Sequence, residues 1–491
     1  MVQSSATPKP RRLLFLLLVF VFAGALAAHA QSERAAVVTP QQAAPVAFAE
    51  ITSQFHISLP PVSRASSAVT LPTPIRAKEY SLEYARRNLV PAIGGSICVG
   101  DFDGDGYPDL YVIIPGGANH LFQNRADGAF VDVTDKARVP GTGADLGGAF
   151  ADFDKTGNPS LFVAGLGGVT LYHNNGDGTF TDNTEKAGLK GKPGELATSV
   201  LLFDADNDGF LDLLVTVYTD LSVPPTKESF TFPNDFRSAN SHLYRNQHDG
   251  TFKEITESAG LTSNPGRTLK ALTADFNHSG RMDLLLLRDN KPPVLYRNQG
   301  RGKFEDQTWD AGTEIWKYAY LDGQTSDFDQ DGKIDVVLWS SIGNEVLLNQ
   351  GNGKFKQEES LPLVYAANRA FGFHGMTADF LGDGHDDLLT VDDKSKWHFI
   401  VNHSGQFEEA PFTLSAESAA AEGSGAKAGG PLAYFAFMTA VRLRRVNKTD
   451  AGKVDPGKIA LVTLTMDGRV QIFEEQKVRG AGRAPQSRQG K

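Results

Sequence analysis

The chain has 491 residues, more than one ordinary core requires, so either several domains or one large repeat fold is expected. Hydrophobic residues at 41% and charged residues at 22% exclude a wholly disordered chain, and 50 glycines and 25 prolines predict many turns between short strands. The net charge of −10 argues against nucleic acid as a partner, and a single cysteine, Cys98, excludes an intrachain disulfide.

The first 30 residues have the pattern of a cleaved signal peptide. Lys9, Arg11 and Arg12 form a positive segment, residues 13–26 are an apolar run, and residues 28–30 (AHA) match a small-x-small cleavage site. The alternative is a single membrane anchor, but the apolar run is short for a membrane span. No later segment has the roughly 18 apolar residues of a transmembrane helix. We expect a secreted or periplasmic protein with no membrane span after cleavage.

An Asp-rich motif recurs six times after this segment. The copies read DFDGDGYPD, DFDKTGNPS, DADNDGFLD, DFNHSGRMD, DFDQDGKID and DFLGDGHDD, and they begin at Asp101, Asp152, Asp204, Asp275, Asp327 and Asp379. The interval is roughly 50 residues, except for a longer one before the fourth copy, and a fixed period of this length indicates a repeat fold.

Each copy is embedded in the pattern of four strands. An apolar run such as LYVII or VVLW follows the motif directly, a second run such as LYRN comes after a connection, and a last strand begins at Phe after a Gly-containing turn. This last strand reads F-x-[DE]-x-T in most copies. Four antiparallel strands per repeat form a propeller blade, whereas a helical solenoid would need a 3.6-residue apolar period that no repeat shows.

The seventh blade is divided between the two ends of the chain. Three strands begin near Met438, Ile459 and Val470 without a fourth, and FAEIT at Phe48 matches the fourth strand of other copies, as in FKEIT. We therefore predict an all-β, seven-bladed β-propeller of four-stranded antiparallel blades, with the last blade closed by the N-terminal strand. The alternative is that FAEIT is a chance match in a linker.

The predicted organisation assigns every part of the chain, and we expect a monomer. It comprises a signal peptide at 1–30, a flexible N-terminus at 31–47, the propeller at 48–476 and a disordered basic tail at 477–491.

Three connections are longer than their equivalents in other repeats. They lie between Phe48 and Asp101, between Tyr218 and Asn240, and after Phe407, and blade topology predicts that all three thicken the face opposite the Asp loops. Blade seven also has a longer first loop, at 444–458, on the Asp-loop face. The second insertion carries aromatic residues and an arginine that are either exposed anchors for a partner or a self-packed loop: Tyr218, Phe230, Phe232, Phe236 and Arg237.

Three of the Asp loops have the spacing of an oxygen cage for Ca²⁺. They place Asp at positions 1, 3, 5 and 9, Gly at the sharp turn of position 6, and a backbone carbonyl at position 7. Four carboxylates packed together without a cation would repel one another, and Mg²⁺ is disfavoured because it prefers waters in a strict octahedron. The predicted ligands are Asp101, Asp103, Asp105, Tyr107 and Asp109; Asp204, Asp206, Asp208, Phe210 and Asp212; and Asp327, Asp329, Asp331, Lys333 and Asp335.

The other three loops carry fewer charges. Two of them remain candidate Ca²⁺ ligand sets: Asp275, Asn277, Ser279 and Asp283; and Asp379, Asp383 and Asp387, in which Leu381 replaces the residue at position 3. The remaining loop, with Asp152, Asp154, Thr156 and Ser160, lacks the final carboxylate, and we expect weak binding or none.

These motifs resemble the FG-GAP/VCBS repeat family, whose best-known fold is the seven-bladed propeller of integrin α-chains. The resemblance covers residues 48–476, and the tail NxxDGTFxDxTxxAGL at 174–189 is similar to repeats of bacterial proteins linked to the ASPIC/UnbV group. It implies extracellular calcium and adhesion or ligand binding on the loop-rich face. It implies no reaction, because one fold hosts many functions.

Three functions remain open. The first is a Ca²⁺-binding, non-catalytic scaffold for an extracellular protein or carbohydrate ligand, which we favour. The second is a carbohydrate-active enzyme, a polysaccharide lyase or hydrolase, whose carboxylate pair could lie among the many acidic residues. The third is a lectin with one sugar site per blade. No G-x-S-x-G motif or His pair at metal or triad spacing is present, so we assign no catalytic residue.

Overall fold

The structure of the protein is a computed structural model. It describes residues 46–50, 57, 74–114, 116–125, 129–262, 265–289, 291–312, 320–340, 343–362, 375–392, 396–415, 435–442, 459–465 and 470–476. The predicted signal peptide, the long loop at 444–458 and the basic tail at 477–491 lie outside these residues.

Six sheets repeat the same four-stranded antiparallel pattern, in which each strand pairs with its neighbours in chain order. Two strands, β1 (Val46–Glu50) and β2 (Ile75–Arg76), precede them. Blade one consists of β3 (Ser96–Gly100), β4 (Asp109–Ile113), β5 (His120–Asn124) and β6 (Phe130–Asp132). Blade two consists of β7 (Asp145–Ala151), β8 (Ser160–Gly165), β9 (Gly168–Asn174) and β10 (Phe180–Asp182). Blade three consists of β11 (Glu195–Phe203), β12 (Asp212–Asp220), β14 (His242–Asn246) and β15 (Phe252–Glu254), with β13 (Ser229–Phe230) in its insertion.

The next three blades follow the same order. Blade four consists of β16 (Thr268–Ala274), β17 (Asp283–Arg288), β18 (Val294–Gly300) and β19 (Lys303–Asp306). Blade five consists of β20 (Tyr320–Ser326), β21 (Asp335–Ser340), β22 (Gly343–Asn349) and β23 (Phe355–Gln357). Blade six consists of β24 (Gly375–Ala378), β25 (Asp387–Val391), β26 (Trp397–His403) and β27 (Gln406–Ala410).

Blade seven contains the N-terminal strand, as the sequence predicts. It has β28 (Phe412–Ser415), β29 (Phe435–Arg442), β30 (Ile459–Thr465) and β31 (Val470–Gln476). β1 pairs antiparallel with β31, with Phe48 opposite Glu475, and therefore supplies the missing fourth strand. The prediction omitted a fifth strand: β28, from the third long connection, pairs in parallel with the outer edge of β1.

The first strands of the seven blades contact one another in a ring. β3 contacts β7, β7 contacts β11, and the series continues through β16, β20, β24 and β29 back to β3. The second strands are the most buried, because they have sheet neighbours on both sides and packed faces; β21 is buried along its whole length. The six four-stranded sheets and the five-stranded blade seven confirm the predicted all-β, seven-bladed β-propeller.

The recurring F-x-[DE]-x-T pattern has a local structural role: its threonine joins the fourth strand to the third. In blade one the Thr134 hydroxyl donates a hydrogen bond to Asp132 at 2.6 Å and accepts one from the Leu121 amide at 2.8 Å. Thr184, Thr256 and Thr308 accept the equivalent amide hydrogen bonds in blades two, three and four. In blades one and three, Thr134 and Thr256 begin the single-turn helices α3 (Thr134–Ala137) and α4 (Thr256–Ala259), which lead to the next blade.

The segment between β1 and β3 carries most of the other helical structure. It contains a 3₁₀ turn (Ala77–Glu79), α1 (Leu82–Asn88) and α2 (Val90–Ile93). Ser81 caps α1, because its side chain accepts a hydrogen bond from the Tyr84 amide at 3.0 Å.

This segment and the insertion of blade three pack against each other. β2 pairs antiparallel with β13, and Phe230, Phe232 and Phe236 are buried in a cluster with residues of α1 and α2 and with Leu89 between these helices. The reading of these aromatic residues as exposed anchors is therefore wrong. They fill a small second core, because three phenylalanines close in sequence bury more apolar surface by meeting another apolar insertion than by facing water.

Candidate functional site

The six Asp loops join the first and second strands of blades one to six and share one backbone design. The carboxylate at position 1 accepts hydrogen bonds from amides within its own loop: Asp101 accepts from Gly104, Asp105 and Gly106 at 2.8 to 3.1 Å. Gly106 has φ of 84°, a left-handed conformation that favours glycine and folds the loop back over Asp101. The sequence thus closes each loop around its first carboxylate.

The carboxylate at position 9 is buried beneath the loop. The Asp109 side chain is fully buried and accepts hydrogen bonds from the amides of Phe102 at 3.0 Å and Asn124 at 2.7 Å. Asp212 and Asp335 are held in the same way in blades three and five. Position 9 therefore joins the loop to the end of the third strand, while it brings a negative charge into the protein.

Three loops bring carboxylate oxygens close enough together to share one ion. In each loop, the residues at positions 1, 3 and 9 offer oxygens that all lie within 4.8 Å of one another. The three clusters are Asp101, Asp103 and Asp109; Asp204, Asp206 and Asp212; and Asp327, Asp329 and Asp335. These are the three loops in which the sequence predicts a complete Ca²⁺ cage.

The position-5 carboxylates lie outside these three clusters. The Asp208 carboxylate lies 2.7 Å from His248 Nε2, and Asp331 pairs with Lys333 Nζ. At position 7, the amides of Tyr107, Phe210 and Lys333 donate to the carboxylate at position 5, at 2.8 to 2.9 Å. The structure therefore brings the carboxylates at positions 1, 3 and 9 together, while the fourth predicted carboxylate, at position 5, accepts a hydrogen bond from the position-7 amide beside them.

Burial makes the position-9 carboxylates difficult to ionise in the absence of a cation. It raises the pKa of Asp109 to about 8, that of Asp212 to about 6 and that of Asp335 to about 7, against the stabilising effect of their amide hydrogen bonds. The neighbouring carboxylates raise these pKa values further. A divalent cation at the cluster would relieve both burial and repulsion.

Two buried carboxylate oxygens have no hydrogen-bond partner among the residues that the structure describes. They are Asp206 Oδ1 in blade three and Asp387 Oδ2 in blade six. Buried polar atoms are nearly always satisfied, and an oxygen beside other carboxylates with no donor among the described residues is suited to a hard cation as its partner. The donor set in these loops consists of oxygens, as Ca²⁺ requires.

Blade four differs, because a protein cation reaches its position-9 carboxylate. Arg297 Nη1 lies 2.5 Å from Asp283 Oδ2, and its Nη2 donates to the Gly353 carbonyl of the next blade at 2.6 Å. The guanidinium and the carboxylate are both buried. The sequence prediction of a Ca²⁺ site at Asp275, Asn277, Ser279 and Asp283 did not include this arginine, whose charge already compensates Asp283.

The two remaining loops contain parts of the design. In blade two the Ser160 hydroxyl takes the structural place of the position-9 carboxylate and accepts from the Asn174 amide at 3.1 Å, while His173 Nε2 lies 2.9 Å from Asp154. In blade six, Asp379 accepts from the amides of Asp383 and Gly384, and Asp387 is fully buried with its pKa raised to about 7 by burial.

An asparagine at the end of the third strand hydrogen-bonds to each loop, and its role is not evident from the sequence alone. The Asn246 side chain donates to the Leu211 carbonyl of its own blade at 3.0 Å and to the Phe153 carbonyl of the preceding blade at 2.8 Å. Asn174, Asn298, Asn349 and Asn402 repeat this pair of bonds. The recurring asparagine is visible in the sequence at the end of LYRN, LLN and FIVN. Its hydrogen bond to the preceding blade cannot be derived from the sequence of one repeat.

Comparison with known proteins identifies the repeat. Residues 101–163 and 152–215 match the family model of the FG-GAP-like repeat. Cartilage acidic protein 1 from Homo sapiens is 25% identical over 168 residues, which are 32% of this chain and 25% of that protein, and the Mus musculus protein gives the same values. The chain thus spans about a quarter of the length of the curated relatives it matches.

Two lectins are among the similar solved structures. The BP39L lectin from Burkholderia pseudomallei has 10% identity and a TM-score of 0.48, over 78% of this chain and 98% of the lectin chain. An Agrocybe aegerita lectin that recognises non-reducing terminal N-acetylglucosamine has 21% identity and a TM-score of 0.41, over 64% of this chain and 78% of the lectin chain.

Within the described part of the chain, no helix combines the length and the apolar character needed to cross a membrane.

Proposed function

Because the chain carries FG-GAP-like repeats on a seven-bladed β-propeller, we propose that it is an exported Ca²⁺-binding protein that acts as a non-catalytic scaffold for a protein or glycan ligand. The observation that carries the proposal is the set of three clusters in which carboxylates at positions 1, 3 and 9 bring oxygens within 4.8 Å of one another. Blade six, with the free buried oxygen of Asp387, is a further candidate.

A scaffold is favoured because the carboxylates of the Asp loops take part in hydrogen bonds that hold the fold together. The carboxylates at positions 1 and 9 accept hydrogen bonds from backbone amides. In blade one, Asp101 thereby shapes the loop and Asp109 holds the end of the third strand. Groups fixed in this way suit a resident ion better than proton transfer to a substrate. Bound Ca²⁺ would supply charge compensation at each cluster and would stiffen the loop face of the ring.

Calcium titration of stability tests the metal part of the proposal. Purified protein is unfolded thermally in EGTA and in increasing Ca²⁺, and calorimetric titration gives the stoichiometry. Each occupied site is expected to add about 2.7 kcal/mol when free Ca²⁺ is 100 times its Kd. Identical melting in EGTA and in millimolar Ca²⁺ would contradict the proposal.

A pair of Asp variants gives this titration its control. Asp329→Asn removes a carboxylate from the blade-five cluster, so it is expected to lower the Ca²⁺ stoichiometry by one. Asp177→Asn changes an exposed hairpin carboxylate that bonds only to Thr179 among the described contacts, and its Ca²⁺ stoichiometry is expected to equal that of the unchanged protein. Equal stoichiometry in both variants would place the metal elsewhere.

Export and ligand binding need separate experiments. N-terminal sequencing of the protein recovered from outside the cytoplasm is expected to begin at Gln31; a start at Met1 would contradict cleavage.

Binding to a glycan array and to extracellular proteins is then compared with and without EGTA. Calcium-dependent binding without turnover is expected, and degradation of a bound polysaccharide would instead favour an enzyme.

A further inference from the structure

The first strands of blades one to five enclose a cavity at the centre of the ring. It has a volume of roughly 370 Å³, within the range of small-molecule sites. Its lining comes from the first half of four of these strands and from the middle of β11, including Ile97, Leu146 and Val200, and from Gly94 and Gly95 directly after α2. The Asp loops follow the opposite ends of these strands, so the cavity opens away from the carboxylate clusters.

One ion pair interrupts the largely aliphatic wall of the cavity. Lys270 Nζ on β16 lies 2.6 Å from Asp322 Oδ1 on β20, and the same oxygen accepts a hydrogen bond from the Gly323 amide at 2.8 Å. No described residue donates to the other carboxylate oxygen, Oδ2, and Asp322 keeps 23% of its side chain exposed. The lysine ammonium can donate two further hydrogen bonds. A donor and an acceptor with spare capacity therefore stand side by side in the cavity.

The rest of the polar lining is uncharged. Ser199 lines the cavity and shares a 2.8 Å hydrogen bond with Thr216, and Thr198 next to it is satisfied by the Thr268 carbonyl at 2.8 Å. The charged residues in the lining are Lys270 and Asp322, so the lining has no net charge. A charged ligand would be attracted by one member of the pair and repelled by the other, so the lining offers no net attraction to offset the desolvation of an anion or a cation.

A neutral ligand with adjacent hydroxyl groups matches both features. One hydroxyl can accept from the Lys270 ammonium while it or its neighbour donates to Asp322, and hydrogen bonds to charged groups are the stronger kind. The aliphatic residues Ile97, Leu146 and Val200 can cover the C–H surface of such a ligand. Small carbohydrates combine these hydroxyl and C–H surfaces within one ring.

We propose that this central cavity binds a small neutral carbohydrate, one or two sugar rings in size, through the pair formed by Lys270 and Asp322. The inference rests on the proposed scaffold function and deepens it, since it commits the ligand to a glycan and its site to the centre of the ring, on the face opposite the Asp loops.

Calorimetric titration with a sugar panel tests the ligand class. Purified protein in millimolar Ca²⁺ is titrated with glucose, galactose, mannose and N-acetylglucosamine, with glucosamine and glucuronate as charged analogues, and with leucine as an apolar zwitterion. At least one neutral sugar is expected to bind, and its charged analogues at least tenfold more weakly. Stronger binding of leucine, or of a charged analogue, would overturn the assignment to neutral sugars.

Variants test the place of binding. Asp322→Asn and Lys270→Met are each expected to weaken the bound sugar at least tenfold, because a polar group is left without its partner. Val200→Phe keeps the ion pair but fills the cavity, so it is expected to abolish binding. The matched control is Lys190→Met, which breaks an exposed 2.8 Å pair with Glu185 and is expected to change sugar affinity less than twofold. Thermal unfolding of each variant shows whether it is folded.

The failures of the two proposals are distinguishable. Sugar binding that survives Asp322→Asn and Val200→Phe would overturn the cavity assignment and leave a glycan scaffold in place. No binding of any neutral sugar by the folded, unchanged protein would overturn the cavity assignment, while the Ca²⁺ dependence of stability would still decide the metal proposal.

Discussion

The Asp loops of blades four and five share one amide hydrogen bond to the position-9 carboxylate but differ in the residue beside that amide on the third strand, as well as at positions 3 and 5. In both blades the buried position-9 carboxylate accepts from the amide of the third-strand asparagine, at 2.8 Å from Asn298 and 2.7 Å from Asn349. The residue before that asparagine is Arg297 in blade four and Leu348 in blade five. Blade four thus supplies a cation from its own chain, whereas in blade five no described cation pairs with Asp335, which lies buried in a cluster with Asp327 and Asp329.

This difference shows how a repeat protein can keep one loop design and vary its need for an ion. A buried carboxylate is costly unless a cation compensates it, and either a guanidinium or a metal ion can do so. The charge count of the loop alone therefore does not show whether its buried carboxylate is compensated, because the compensating residue lies on another strand. The comparison leads to three predictions.

Removing Arg297 should have the largest effect. Arg297→Leu leaves Asp283 buried and uncompensated, and loss of one partner of a buried ion pair costs about 3–5 kcal/mol of unfolding free energy. Urea unfolding in EGTA measures this loss. In millimolar Ca²⁺ part of it should be recovered, since Asp275, Asn277 and Asp283 would then offer an uncompensated oxygen set.

Arg245→Leu provides the control for this variant. Arg245 occupies the same third-strand position in blade three, but its Nε lies 3.6 Å from Asp206 and about half of its side chain is exposed. The exposed pair should contribute less than about 1 kcal/mol. If both variants lost the same free energy of unfolding, the special role of Arg297 would be contradicted.

The reverse substitution should convert blade five to the blade-four type. Leu348→Arg places a guanidinium beside Asp335, which should lower the Ca²⁺ stoichiometry by one and remove about 2.7 kcal/mol of Ca²⁺-dependent stability at 100 times the Kd. Calorimetric titration and unfolding with and without EGTA measure both. Leu348→Met, a near-isosteric change, should keep the full stoichiometry; a loss of stoichiometry there would point to packing as the cause.

The sequence predicts the ring and the loops well because both depend on local patterns. Strand periodicity and the Gly at position 6 are visible within one copy, the repeat spacing follows from aligning the copies, and the match of FAEIT to FKEIT locates the closing strand β1. Arg297 and the asparagine ladder could not be derived in this way, since their partners lie on other strands and, for the ladder and Gly353, on adjacent blades. The burial of Phe230 and Phe236 likewise depends on the meeting of two insertions that are distant in the chain.

The smallest expected effect is a difference in pH dependence between the two position-9 carboxylates in EGTA. Burial raises the pKa of Asp335 to about 7, far above the value of roughly 3.9 of an unfolded Asp. Because the carboxyl group holds its proton more tightly in the folded state than in the unfolded state, it contributes its full stability below the unfolded-state pKa. This contribution is lost as the pH rises through the folded-state pKa. Asp335→Asn lacks this titration. Relative to the unchanged protein it should therefore gain about 2.5 kcal/mol of unfolding free energy between pH 5 and pH 7.5.

Asp283→Asn serves as the matched variant for this measurement. Burial also raises the pKa of Asp283, but the charge and hydrogen bond of Arg297 oppose that shift. Its substitution should destabilise the protein across the whole range, because it leaves the buried Arg297 without its carboxylate. Urea unfolding of both variants in EGTA at pH 5, 6, 7 and 7.5 makes the comparison. Parallel pH profiles for the two would show that Asp335 is already compensated by a group of the protein, and blade five would then have no need of Ca²⁺.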